Sequence, residues 1–108
     1  MTESIEPILL RGQVPMPALG LGVYQMSPSQ AASAVETALG VGYRHVDTAA
    51  AYNNEDGVAK GLARSGVERD QVFLTTKAWV SDYGTDALRY AFDRSARHLR
   101  TEVLDLYL

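Results

Sequence analysis

A carboxylate, a phenol and an amine stand at Asp47, Tyr52 and Lys77 of this 108-residue chain. Asp47 closes a short run with aromatic and β-branched members, Tyr43-Arg44-His45-Val46-Asp47. Tyr52 follows Thr48-Ala49-Ala50-Ala51, and Lys77 closes a second β-forming run, Val72-Phe73-Leu74-Thr75-Thr76. The ends of adjacent parallel strands lie about 5 Å apart. If these two runs are neighbours, Asp47 and Lys77 can pair and Tyr52 can reach the ammonium from its loop. Such a trio suits proton donation. A free phenol, with a pKa of about 10, is a poor acid at neutral pH. A cation about 4 Å away at an effective dielectric of about 20 favours its phenolate by about 4 kcal/mol. That figure is an upper one, because Asp47 offsets part of the charge while holding Lys77 in place. Taken alone, the pair also reads as a structural ion pair and Tyr52 as a packed aromatic.

The elements that must position these groups follow from local signals. Ile8 to Pro15 forms a hairpin with Gly12 in its turn, and a short first strand ends at Gly22. Ser27-Pro28-Ser29-Gln30 starts a helix, with Ser27 as N-cap, Pro28 at the first helical position and Gln30 closing a capping box. Ala31, Ala34, Val35, Ala38 and Leu39 recur at helical spacing, and Gly40 and Gly42 are expected to end the helix in left-handed geometry. A second strand covers Tyr43 to Asp47. Asn53 and Asn54 are N-cap types for a second helix over residues 55–65, with Glu55 and Asp56 placing negative charge in its first turn and Gly66 beyond its end. The third strand is 72–77. A third helix over 85–99 has Leu88, Ala91, Phe92, Ser95 and Leu99 on one face, and a fourth strand occupies 103–108. Strands alternating with single helices mean a parallel sheet joined by right-handed crossovers, either open and doubly wound or part of a (β/α)8 barrel. In both, ligands bind at the carboxyl ends of the strands, where Asp47 and Lys77 fall.

Composition narrows the function. A net charge of −3 leaves no basic footprint for nucleic acid. No apolar run spans a bilayer. The chain has no cysteine, which excludes disulfides and thiolate metal sites and fits a reducing compartment; a cytoplasmic location is expected. The length suits one small domain. His45 and Asp47 share strand parity, but two ligands make a poor metal site, so no metal is expected and His45 reads as barrel-interior packing. Gly20-Leu21-Gly22 is discounted as a dinucleotide fingerprint because Gln25 takes the third glycine position. Asp82, Asp86, Arg94 and Arg97 read as solvated surface.

Gly20-Leu21-Gly22-Val23-Tyr24, Gly42-Tyr43-Arg44-His45-Val46-Asp47-Thr48-Ala49 through Tyr52 and Asn54-Glu55, Thr75-Thr76-Lys77-Ala78-Trp79 and Asp105-Leu106-Tyr107-Leu108 closely resemble the aldo-keto reductases, in particular the bacterial branch containing the diketogluconate reductases. The resemblance implies a (β/α)8 barrel whose N-terminal hairpin plugs the bottom. It also implies NADPH-dependent reduction of an aldehyde or ketone, a small-molecule carbonyl substrate. Tyr52 would be the general acid, Lys77 the cation that makes it acidic, and Asp47 the group that holds Lys77 and touches the cofactor ribose. Gly22, Val23 and Tyr24 would lie near the nicotinamide and substrate, and Trp79 would line the substrate pocket beside Tyr24. Asn53 and Ala78 depart tolerably from the family pattern. The family's active-site histidine and its adenosine-phosphate loops would lie past Leu108. The 108 residues are therefore expected to be the first half of a barrel, one partial domain truncated after the fourth strand and inactive alone. Its inner face, with residues such as Phe73 and Leu106, is expected to lack a partner and to drive self-association.

Two other functions fit parts of the pattern. A lysine beside an aspartate at a strand end also suits a Schiff-base aldolase, and a truncated relative could serve as a non-catalytic binding module.

Overall fold

The computed structural model describes residues 6–79, 81 and 83–108. Strands β1 (Ile8–Leu10) and β2 (Val14–Met16) form an antiparallel hairpin. Then come β3 (Leu21–Gly22), helix α1 (Pro28–Gly40), β4 (His45–Asp47), α2 (Glu55–Ser65), β5 (Phe73–Thr76), α3 (Thr85–Leu99) and β6 (Leu106–Tyr107). The second sheet is parallel throughout, in the order β3-β4-β5-β6. Sequential order decides between the two architectures left open above. A doubly wound sheet reverses its strand order at a switch point, whereas a barrel adds each strand beside the last, as here.

The core lies between this sheet and the helices. Val46 and Leu74, at the centres of β4 and β5, are fully buried with Val35 and Leu39 of α1, Val58 of α2 and Leu99 of α3. Each such side chain is worth about 1.5–3 kcal/mol on burial. Helices α1 and α2 approach closely because Gly57 and Gly61 line their contact. A β-carbon on Gly57 would sit 2.1 Å from the Pro28 carbonyl oxygen, and one on Gly61 2.6 Å from Val35 Cβ.

The opposite face of the sheet carries the alternate residues His45, Asp47, Phe73 and Thr75. Phe73 was expected to lie bare there, but it is only 7% exposed because the His45 ring packs edge-on against it at 5.0 Å. His45 is held by the Pro17 carbonyl (3.2 Å) and Thr75 Oγ1 (3.0 Å), the packing role expected of it. Pro17 follows β2, so the hairpin lies at the N-terminal end of the sheet. Leu106 is half-buried.

Several local expectations shift. Ser27 does cap α1 through a complete capping box. Gly40 is still helical, however, and only Gly42 takes positive φ (113°). The turn instead closes through Tyr43 N–H donating to the Ala38 carbonyl (2.9 Å), which removes Tyr43 from β4. The first strand shrinks to two residues, and β6 covers Leu106–Tyr107 rather than 103–108. On α3, Ala91, Ser95 and Leu99 are buried and Phe92 stacks edge-on with Tyr107 at 5.2 Å, while Leu88 faces outward. Arg94 is half-buried rather than solvated, lying 5.8 Å from the Tyr90 ring centroid. Asp86 and Arg97 are exposed as expected, and Asp82 lies outside the described residues.

Candidate active site

Asp47 ends β4, and Lys77 follows directly on β5. Parallel pairing sets Asp47 opposite Thr75, so the two side chains leave the same end of the sheet. The Lys77 ammonium donates to Asp47 Oδ1 and to the Thr48 carbonyl (3.1 Å). Both side chains stay open, at 31% for Lys77 and 41% for Asp47. Beyond Asp47 the chain turns through a 3-10 segment, Ala50–Tyr52. Its first amide, on Ala50, donates to the Lys77 carbonyl (3.1 Å), binding the tyrosine-bearing turn to the lysine-bearing strand. Asn53 adopts left-handed geometry (φ 55°) and reverses the chain into α2. The result sets the Tyr52 ring 5.6 Å from Lys77 Nζ. Asp47, Tyr52 and Lys77 thus form one cluster.

Of the residues expected near a cofactor, Gly22 pairs with Asp47 across the β3–β4 ladder, and nothing lies within 4 Å of where its β-carbon would be. That leaves open space beside Asp47. Tyr24 is 66% exposed, and its ring tilts against Tyr52 at 5.3 Å. Val23 differs. Its side chain is fully buried in the core, so it offers no surface to a ligand and supports the rim from behind. Trp79, 54% exposed, flanks a shallow hollow with Ala50, Ala51, Ser81 and Arg94.

One contributor was read only in part from the sequence. Asn54 does occupy the N-cap of α2, yet its side chain makes no capping bond. It is fully buried. It donates to the carbonyls of Val23 (2.9 Å) and Met26 (3.1 Å) and accepts from Thr48 Oγ1 (2.9 Å). One amide therefore ties the loop bearing Tyr24, the strand end bearing Asp47 and the start of α2. The clue was its position between Tyr52 and Glu55; its distant carbonyl partners leave no local trace.

An open-ended parallel sheet in sequential strand order, with helices on one face and an acid, a phenol and an amine gathered at its carboxyl ends, is built as the first half of a (β/α)8 barrel. Residues 17–108 match the Aldo/keto reductase family, and the chain belongs to that family. It is 50% identical over 93 residues to an aldo-keto reductase from Mycobacterium sp. strain KMS, covering 86% of this chain and 34% of the relative. An aldo/keto reductase structure from Brucella melitensis superposes with a TM-score of 0.96 at 46% identity, covering 100% of this chain and 41% of that one. The Bombyx mori aldo-keto reductase, solved in complex with NADP, superposes at 0.91 with 32% identity over 98% of this chain and 38% of its own. The chain thus spans about a third of the length of the curated relatives it matches.

Proposed function

We propose that these residues form the proton-donating half of an NADPH-dependent reductase of aldehydes or ketones. Tyr52 is the general acid, Lys77 the cation beside its ring, and Asp47 the carboxylate that holds Lys77. The observation that carries this is the convergence of the three groups at the carboxyl ends of β4 and β5, with the ammonium on Asp47 and beside the tyrosine ring.

The site has features that fit a nicotinamide cofactor. The empty space at Gly22 adjoins Asp47, whose carboxylate can accept a ribose hydroxyl, and Tyr24 stands exposed at the same rim. When bound, NADPH supplies the hydride. The chain's part is to deliver a proton to the carbonyl oxygen as negative charge develops there, which lowers the barrier only if the donor is already in place. Carbonyl selectivity would rest partly on Trp79 and Tyr24.

The test is transfer of deuterium from 4-deuterated NADPH to the product alcohol by a protein carrying these residues at the relatives' full length. Borohydride trapping runs beside it. Labelling of Lys77 together with absent deuterium transfer would replace the reductase with a Schiff-base enzyme. Failure of both, with no NADPH binding by fluorescence titration, would leave a non-catalytic module.

For the 108 residues by themselves we propose no turnover, and self-association through the inner sheet face and the outer strands β3 and β6. Light scattering coupled to size exclusion checks this, and a sharp monomer peak with cooperative melting would overturn it.

A further inference from the structure

We infer that Glu55 is a positioning residue for Lys77, acting through Thr76; this rests on the role proposed above for Lys77. A glutamate in the first turn of a helix ordinarily faces water and favours the helix dipole. Glu55 is instead 4% exposed. Its Oε2 accepts a hydrogen bond from Thr76 Oγ1 (2.7 Å) and its Oε1 one from Ser95 Oγ (3.1 Å), both from fully buried side chains. His98 Nδ1 lies 3.8 Å from Oε1. Burying a carboxylate is costly unless its oxygens are bonded, so the position of Glu55 is tied to those hydroxyls.

Those bonds bear on Lys77 through the alternation of side chains along β5. Thr76 points toward the helices, where Glu55 grips it. Lys77 leaves from the next residue on the other face, toward Asp47 and Tyr52. The same stretch is fixed laterally. Leu108 N–H donates to the Thr76 carbonyl (3.1 Å), and Ala50 N–H donates to the Lys77 carbonyl (3.1 Å). Because Ala50 opens the turn that carries Tyr52, the grip of Glu55 on Thr76 sets the lysine relative to the phenol from behind the sheet. A misplacement of about 1 Å at reacting groups can cost about 100-fold in rate. A purely structural network would behave differently: losing either hydroxyl would lower stability and leave the surroundings of Lys77 alone.

The chain contains two lysines, Lys60 and Lys77, and Lys60 is exposed. Dimethylation with 13C-formaldehyde therefore gives one NMR signal for each lysine, told from that of the terminal α-amine by the lower pKa of an α-amine, with Lys60 as the internal reference. Thr76→Val removes the hydroxyl at nearly constant shape. It is expected to move the Lys77 signal toward that of Lys60 and, in the full-length protein, to lower kcat by about 10- to 100-fold with KM changed less than twofold. Ser95→Ala is expected to leave the Lys77 signal in place. Thr76→Ser restores the hydroxyl and should restore the signal. Glu55→Gln, which keeps one acceptor, should move it in the same direction by less, and it carries the test if Thr76→Val fails to fold. An unmoved Lys77 signal with normal kcat, or an equal shift from Ser95→Ala, would overturn the inference. The signal needs no turnover, so a fully active Tyr52→Phe enzyme would sink the acid assignment and leave the positioning result to be judged separately.

Discussion

Two carboxylate–cation pairs occupy opposite ends of the same sheet. At the N-terminal end, Arg69 meets Asp105 at 3.1 Å with side chains 30% and 29% exposed; at the other, Lys77 meets Asp47 with 31% and 41%. Exposure hardly separates them. Their partners do. Arg69 Nε donates to Thr101 Oγ1 (3.1 Å), and its other nitrogens donate to the carbonyls of Val72 (2.7 Å) and Val103 (2.6 Å) as well as to Asp105. Asp105 Oδ2 also accepts the Leu74 amide (2.8 Å). The fork of a guanidinium suits such stitching, and its bonds all serve to close the chain. Lys77 has a carboxylate, one carbonyl and the half-buried Tyr52 ring. The same kind of pair is a staple where its company is backbone, and a candidate for chemistry where it lies beside Tyr52. Barrels place stability at one end and catalysis at the other in just this way.

The largest effect expected from breaking this contrast is at Tyr52. In a full-length protein, Tyr52→Phe should lower kcat by about 100- to 10,000-fold, the range for a positioned acid, with NADPH binding nearly intact by fluorescence titration. A raised KM with unchanged kcat would mean that Tyr52 only binds. Next comes Lys77→Met, which removes the cation and leaves the phenol. A loss of about 100-fold in kcat is expected, with Tm changed little because the pair is open to solvent. Normal turnover in this variant would make the upper pair structural too.

Arg69→Met carries the opposite signature. It takes the cation from Asp105 and one donor each from the carbonyls of Val72 and Val103, so a stability loss of about 2 kcal/mol is expected, or a Tm lower by roughly 5 °C in the full-length protein, with kcat and KM unchanged. Thermal melts and steady-state kinetics on the same preparation check both halves. A kcat loss at full stability would show that the lower pair reaches the site.

How much of this was legible in the sequence depended on the range of the interaction. The Ser27 capping box lies within four residues, and Gly66 ends α2 in left-handed geometry (φ 72°) as a local rule requires. The β/α alternation and the meeting of Asp47 with Lys77 followed from strand ends. What failed was mainly non-local. Val103 looked like strand, but its carbonyl is taken by Arg69 and its amide by Thr101 Oγ1 (3.2 Å), which holds the segment out of β6. Asn54 and Glu55 have side chains of good helix-start type, and only the fold reveals that both are buried and aimed at other elements. Val23 sits beside the rim in sequence yet turns inward. Polar residues whose partners lie 20 to 40 positions away, as for Glu55 with Thr76 and Ser95, carry no periodicity to betray them.

The smallest expected effects make the sharpest comparison, because the same change is applied at both ends. Asp105→Asn keeps an oxygen that can accept either the Leu74 amide or Arg69 but not both as well as a carboxylate does. A loss of about 1 kcal/mol is expected, read as a shift in denaturant midpoint at constant slope, with kcat unaffected. Asp47→Asn should change stability by less, about 0–0.5 kcal/mol, since an exposed pair contributes little. It also loosens the hold on Lys77 and should lower kcat about tenfold. The two variants therefore separate on two axes, one moving stability alone and the other turnover alone. If Asp47→Asn costs as much stability as Asp105→Asn and leaves kcat untouched, the upper pair is a second staple, and Tyr52 must find its cation elsewhere.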